Sequence, residues 1–408
     1  MNVGGGHTAL RDSFHLALQR VDPAKARYEP IDWDSADTFV NHFYSTIVYR
    51  VPRLQGILFD LSERDWAAQA VAITGFSLLR EGRRVLSETN PDAVVCTHFL
   101  LAMMLAKARH QLKIRCPVLS AIPDYGIPPR TFYPSRPELR ADYLVVMDER
   151  ARAHCVDRGL PAKRVHLSGF LTREPFRLLS ESAVPSELRS LPVRQDRLQK
   201  LALSHPQVGR IDLSRPTLLF LGGSAWARKT APLLRKIASC RDLELKMNLV
   251  VVCGKDRTFF RELSDGIGRR PDFTVLQFIS SSAMSQLMGL ADYPVLGSLA
   301  PATLQELLET GCGPLLLFSF IPGTEKAHVE YIERNSLGIY EPDADRMLRI
   351  LIELCEARAG SSSILRLREG FQARAAKVRR ANVQRALAFP EFLDHVLAGD
   401  APSPAGKG

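Results

Sequence analysis

The feature that most constrains this chain is a set of short apolar runs that do not alternate with polar residues. "DAVVCTHF" (92–99), "CPVLSAIPD" (116–124), "DYLVVMD" (142–148) and "RVHLSGF" (164–170) are rich in valine, leucine and isoleucine. A strand with one wet face would show a polar residue at every second position; unbroken runs bounded by turns suit parallel strands covered on both faces. Helical patterns such as "LAMMLAKARHQLK" and "ERARAHCVDRGL" lie between them. The same grammar returns in "TLLFLGG" (217–223), "MNLVVVCG" (247–254), "FTVLQF" (273–278), "ADYPVLG" (291–297) and "GPLLLFSF" (313–320). The predicted fold class is α/β, with two Rossmann-like domains and a cleft between them.

The polar, proline-bearing stretch 178–216 separates the two sets of runs, and 408 residues exceed what one core usually organises. The expected division is a first domain over 1–200, a second over 201–375, a helical segment over 376–399 and a small, polar tail over 400–408. The seven cysteines include no CxxC pair, which argues against a disulfide framework or structural zinc and for a reducing compartment. No apolar run is long enough to span a bilayer, and no signal peptide precedes the first glycines. The net charge of +10 favours an anionic partner: nucleic acid, a phosphorylated substrate or an acidic membrane surface. Nucleic acid is not expected, because no zinc finger, aromatic RNP motif or GXXG clamp is present.

Three segments carry candidate chemistry. In "MNVGGGHTAL", Gly4–Gly6 could present backbone N–H groups at a helix start, and His7 would sit in its first turn. A neutral imidazole there could take a proton from an attacking hydroxyl; a loose terminal turn with an incidental histidine is the plainer alternative. The missing strand before these glycines suggests a truncated first strand. In "FLGGSAW", Gly222, Gly223 and Ser224 follow a strand and could face a phosphate, although neither a Walker nor a GxGxxG pattern is present. In "TLQELLETG", Thr303 and Glu306 have the spacing of a capping box, with Glu306 also able to face a ribose. Glu325 in "IPGTEKAH" could grip sugar hydroxyls or lie in solvent.

Taken in order, "GGGHTAL", "FLGGSA", "VVCGKD", "FTVLQFISSSAMSQLMGLAD", "TLQELLETG" and "PGTEKAHVEYI" resemble the diacylglycerol glycosyltransferases, over roughly residues 4–375. These include monogalactosyldiacylglycerol synthases and processive glucosyltransferases of glycosyltransferase family 28. The resemblance implies a two-domain GT-B enzyme that transfers a hexose, with inversion, from UDP-glucose or UDP-galactose to diacylglycerol or a glycolipid. It implies no cofactor beyond this donor and no metal, and a cytoplasmic location at the inner face of an anionic membrane. It also implies His7 as general base, with Asp124 in "AIPDYG" orienting the base or acceptor. Gly222, Gly223 and Ser224 would face the diphosphate, with Lys255 or Arg228 offsetting its charge. The backbone at Phe278 and Ile279 would meet the uracil, Thr303 and Glu306 would stand at the ribose, and Glu325 would hold the sugar.

Departures from the family pattern keep two further readings open. Ala300 and Pro301 stand where the family has a glycine pair, Thr324 and His328 replace Gln and Asn, and "YGIPPRTFYPS" lacks the usual histidine and tryptophan. A GT-B enzyme for another acceptor, or a degenerate nucleotide-sugar-binding protein without activity, would carry the same substitutions. On the acceptor side, Phe39, Phe43, Tyr44, Ile47 and Val48 approach helical spacing, flanked by Arg50, Arg53, Arg80, Arg83 and Arg84. This is the composition of a surface that rests on anionic lipid, or of a core with a solvated rim.

Overall fold

The computed structural model describes residues 5–21, 52–181, 189–222, 226–240, 243, 246–356 and 363–398. Gly4, Gly223, Ser224, the stretch Phe39–Arg50 and the tail 400–408 lie outside these residues. In chain order the strands are β1 (Val94–Cys96), β2 (Val118–Ala121), β3 (Tyr143–Val146), β4 (Val165–Leu167) and β5 (Thr217–Leu221). They continue with β6 (Asn248–Val252), β7 (Phe273–Leu276), β8 (Tyr293–Leu296), β9 (Leu315–Leu317) and β10 (Gly338–Tyr340). Each unbroken apolar run contains one of the first nine strands; β10, short and only partly apolar, was not foreseen.

The chain forms two compact units. The first joins Met1–Leu171, Pro322–Ala327 and Ala381–Gly408. Its sheet has the order β1-β2-β3-β4, all parallel, with Leu119 opposite Tyr143 and Leu144 opposite Val165. β2 and β3 are buried along their whole length, as their sequences require. Leu78, Met104, Leu100 and Val118 fill one part of the core, and Ile122, Leu144, Cys155 and Val165 another. The described residues begin with the helix Gly5–Val21.

The second unit joins Thr172–Ile321 and His328–Arg380. Its parallel sheet has the order β10-β9-β8-β5-β6-β7 around Leu218, Phe220, Leu249, Val251, Phe273 and Val295. The strand order reverses between β5 and β8, so a crevice forms at their carboxyl ends. The same tripeptide, Ala-Asp-Tyr, opens β3 and β8 and does one job in both sheets. The Asp142 carboxylate accepts from the Val118 N–H at 2.8 Å, and Asp292 from the Thr217 N–H at 2.8 Å. Each carboxylate is also paired with arginine: Asp142 with Arg109, and Asp292 with Arg189 and Arg194. A buried donor at the start of the neighbouring strand is thereby satisfied, and the strand start is fixed.

Helix starts follow ordinary capping chemistry, with one correction. Asp256 accepts from the Phe259 N–H at 2.8 Å, and Ser280 from Ala283 at 3.2 Å. The expected capping box at Thr303 and Glu306 does not form: the helix spans Pro301–Glu309, with Ala300 as its N-cap and no side-chain cap. Proline lacks an N–H and has a fixed φ, so it starts the helix two residues before Thr303.

Candidate active site

In the first unit, the elements that end at the carboxyl edge of the sheet bring three titratable side chains together. The helix Gly5–Val21 begins with Gly5 and Gly6 already helical, so these glycines form the first turn rather than a preceding loop. A Cβ added to Gly6 would meet nothing within 4 Å, which leaves open space beside that turn. His7 is half-buried, and its Nδ1 is hydrogen-bonded to the carbonyl of Thr97, the residue that follows β1. A carbonyl only accepts, so Nδ1 carries the proton and the neutral ring keeps its basic lone pair on Nε2. Burial is the main cause that holds the imidazole below its ordinary pKa, while the Asp124 charge raises it in part.

His98, which reading of the sequence did not single out, belongs to this cluster. Its ring centroid lies 5.0 Å from that of His7, at 50°. Its Nδ1 accepts from the Leu100 N–H at 3.3 Å and caps the helix Phe99–Leu112. Burial, then the neighbouring His7, pushes its pKa well down. A neutral ring that accepts at Nδ1 presents an N–H at Nε2, so His98 is a donor beside a base. The available signal was positional: "CTH" ends a strand in a parallel sheet, where ligand-facing residues gather.

Asp124 lies in the loop after β2. That loop passes close to the segment 322–327, because a Cβ on Gly126, at φ +127°, would overlap the Ala327 Cβ at 2.1 Å. Glu325, buried at 5% exposure just before the helix Lys326–Arg334, therefore falls in the same unit as His7 and Asp124.

In the second unit the remaining candidates surround the switch point. Gly222 follows β5 and packs against the segment at Trp226 and Ala227: a Cβ there would lie 2.0 Å from the Ala227 nitrogen. Gly297, after β8, meets the Trp226 carbonyl in the same way at 2.7 Å. Glu306 is buried, and Arg173 holds it: Nε donates to Oε1 at 2.8 Å, Nη2 donates to the same oxygen, and Nη1 donates to Ser281 Oγ at 2.6 Å. Burial raises the Glu306 carboxyl above its usual pKa, and the guanidinium opposes this. Arg173, 133 positions away, was not anticipated. Thr303 is half-buried on the same helix as Glu306, Ile279 is buried after β7, and Phe278 is 65% exposed. Arg228 is engaged by Asp256 at 2.9 Å and Glu262 at 2.7 Å.

Two Rossmann-like sheets, each with polar side chains at its carboxyl edge, define a GT-B-like architecture. The monogalactosyldiacylglycerol (MGDG) synthase family model matches residues 32–171. The probable monogalactosyldiacylglycerol synthase 3, chloroplastic, of Oryza sativa subsp. japonica is 24% identical over 364 residues, covering 86% of this chain and 66% of its own length. The Arabidopsis thaliana monogalactosyldiacylglycerol synthase 3, chloroplastic, is 23% identical over 369 residues, covering 86% of this chain and 72% of its own. Among solved structures, the S. aureus MnaA–UDP co-structure matches 83% of this chain and 85% of that one, with a TM-score of 0.55 and 11% identity, which concerns the fold. The chain is related to the monogalactosyldiacylglycerol-synthase-like GT-B glycosyltransferases over most of its length.

Proposed function

We propose that this protein transfers a hexosyl group from UDP-glucose or UDP-galactose to the hydroxyl of diacylglycerol or a related glycolipid, with inversion. The observation that carries the reading is the His7 tautomer, with Nδ1 held by the Thr97 carbonyl, Nε2 left basic and the ring within the field of Asp124. The relatives' names supply the lipid class of acceptor, and the UDP in the MnaA co-structure supports a uridine nucleotide donor.

In the proposed step the acceptor oxygen attacks the anomeric carbon as its proton passes to His7 Nε2, and UDP departs with the bonding pair. Asp124 stabilises the imidazolium that forms, as a nearby carboxylate does. Glu306, oriented by Arg173 through one oxygen, accepts from the ribose hydroxyls, and backbone N–H groups after Gly222 face the diphosphate. Glu325 holds the sugar. The uracil lies along the backbone of Phe278 and Ile279, and Thr303 lines the ribose.

The acceptor comes from a membrane surface met peripherally. Among the described residues, no helix is long and apolar enough to cross a membrane. Ile57, Trp66, Ile73 and Phe76 expose between 56% and 78% of their surface on successive helices of the first unit. Such a patch favours an interfacial contact.

The test is a radiolabelled transfer assay with each UDP-hexose and diacylglycerol in mixed vesicles. His7→Ala is expected to lower kcat by about 10²–10⁴-fold with UDP affinity and circular dichroism unchanged. The wild-type kcat/KM is expected to keep its plateau down to below pH 6.5, following the depressed imidazole. Normal turnover in His7→Ala rejects the base; transfer only to a non-lipid acceptor rejects the lipid.

A further inference from the structure

We infer a second ligand site in the first unit: a cavity that binds a small phosphomonoester, an organic body with one terminal phosphate. The cavity, about 360 Å³, is lined in part by Lys163, Arg164, His166, Glu391, Phe392 and His395. Tyr143, the first residue of β3, also faces it, and Arg164 immediately precedes β4. The strands are parallel, so this is the amino-end edge of the sheet, opposite the edge that carries His7, His98 and Asp124. Neither the donor nor the acceptor site proposed above uses it.

The charge around it is unbalanced. The Lys163 and Arg164 side chains have no hydrogen-bond or ion-pair partner among the described residues. Burial and then Arg164 depress the Arg140 guanidinium, and burial and then Arg152 depress His166. Uncompensated cations that repel their neighbours are stabilised by an anion, and the single lining carboxylate, Glu391, offsets only part of their charge. His166 Nε2 is buried with no hydrogen-bond partner among the described residues. An unmade bond of this kind is costly.

The shape adds an organic body. The His166 ring stacks on Phe392 with centroids 4.1 Å apart and planes at 10°, and Ala388 and Val396 continue this apolar wall. The volume is at the small end of small-molecule sites, room for a few carbons beside a phosphate. Two cations match the charge of a phosphate dianion better than that of a carboxylate.

The test is calorimetric titration of the full-length protein at low salt with sn-glycerol 3-phosphate and, separately, inorganic phosphate. UDP is titrated into the same samples. Saturable binding of the ester with Kd below ~1 mM is expected. Lys163→Gln/Arg164→Gln is expected to weaken it by about tenfold or more and to leave UDP affinity unchanged. Lys163→Glu, on an exposed side chain, repeats the test should the double variant misfold. Tighter binding of the ester than of phosphate assigns the apolar wall a share; equal affinity assigns recognition to the phosphate alone. Absence of saturable heat with both probes, or wild-type affinity in both variants, overturns the site. Loss of UDP binding in the wild type bears instead on the donor reading.

Discussion

At the scale of single residues, histidines do different work according to what their ring nitrogens meet. His7 was legible because its motif is local: glycines and an imidazole at a helix start. Its partner Thr97 is ninety positions away, and His98 was read as the end of a strand rather than as a side chain at a ligand edge. Arg173 was hidden for the same reason, since nothing near it in sequence announces Glu306. His166 gives a prediction of its own. Burial, then Arg152, holds its pKa down to about 4, against an ordinary 6.5. Between these values the unfolded chain binds more protons than the folded one, so stability is full above about pH 6.5 and falls as the pH drops towards 4. Allowing for its partial exposure, the loss attributable to this group is roughly 1–2 kcal/mol. Urea unfolding at pH 7.5 and 5.0 is expected to show that extra loss in the wild type relative to His166→Phe; equal losses would rule it out.

At the scale of elements, strand type was the most readable property, because burial on both faces removes the alternation that a one-sided sheet requires. β10 escaped because its neighbour β9 covers only one edge and its residues are only partly buried. Helix starts were less readable: a Thr-x-x-Glu spacing is meaningful only at a helix terminus, and Pro301 moved that terminus. The helices Pro52–Leu61 and Asp65–Thr74, with the start of Phe76–Thr89, carry the exposed apolar residues. Arg80 and Arg83 are exposed beside them, whereas Arg84 is paired with Glu81 and Glu88. Ile73→Ser/Phe76→Ser is expected to cut binding to anionic vesicles by about tenfold or more, at roughly 1–2 kcal/mol per exposed side chain. Co-sedimentation measures it, and unchanged binding would reassign the patch.

At the scale of the whole molecule, the first unit depends on the end of the chain. Asn382 bonds Phe170 twice, accepting at 2.8 Å and donating at 2.6 Å. Gly169 lies so close that a Cβ would fall 1.8 Å from the Asn382 carbonyl. Phe389 is fully buried, 4.1 Å from the ring of Phe14. A chain ending at residue 380 loses these contacts, and a buried phenylalanine alone is worth about 3–5 kcal/mol. Such a chain is expected to unfold its first unit at a lower temperature while residues 172–380 stay protected in limited proteolysis. A single transition at the wild-type temperature would contradict this.

The amino-acid order by itself determined the α/β class and the parallel strands, because these depend on burial pattern within a few residues. Tertiary structure alone decided which side chains meet. The His7–Thr97–His98 cluster, the Arg173 hold on Glu306, the grouping of Glu325 with Asp124 and the basic cavity beside β4 all join segments distant in sequence. Hydrogen bonding and desolvation act across space, so those partners exist only once the sheets have formed.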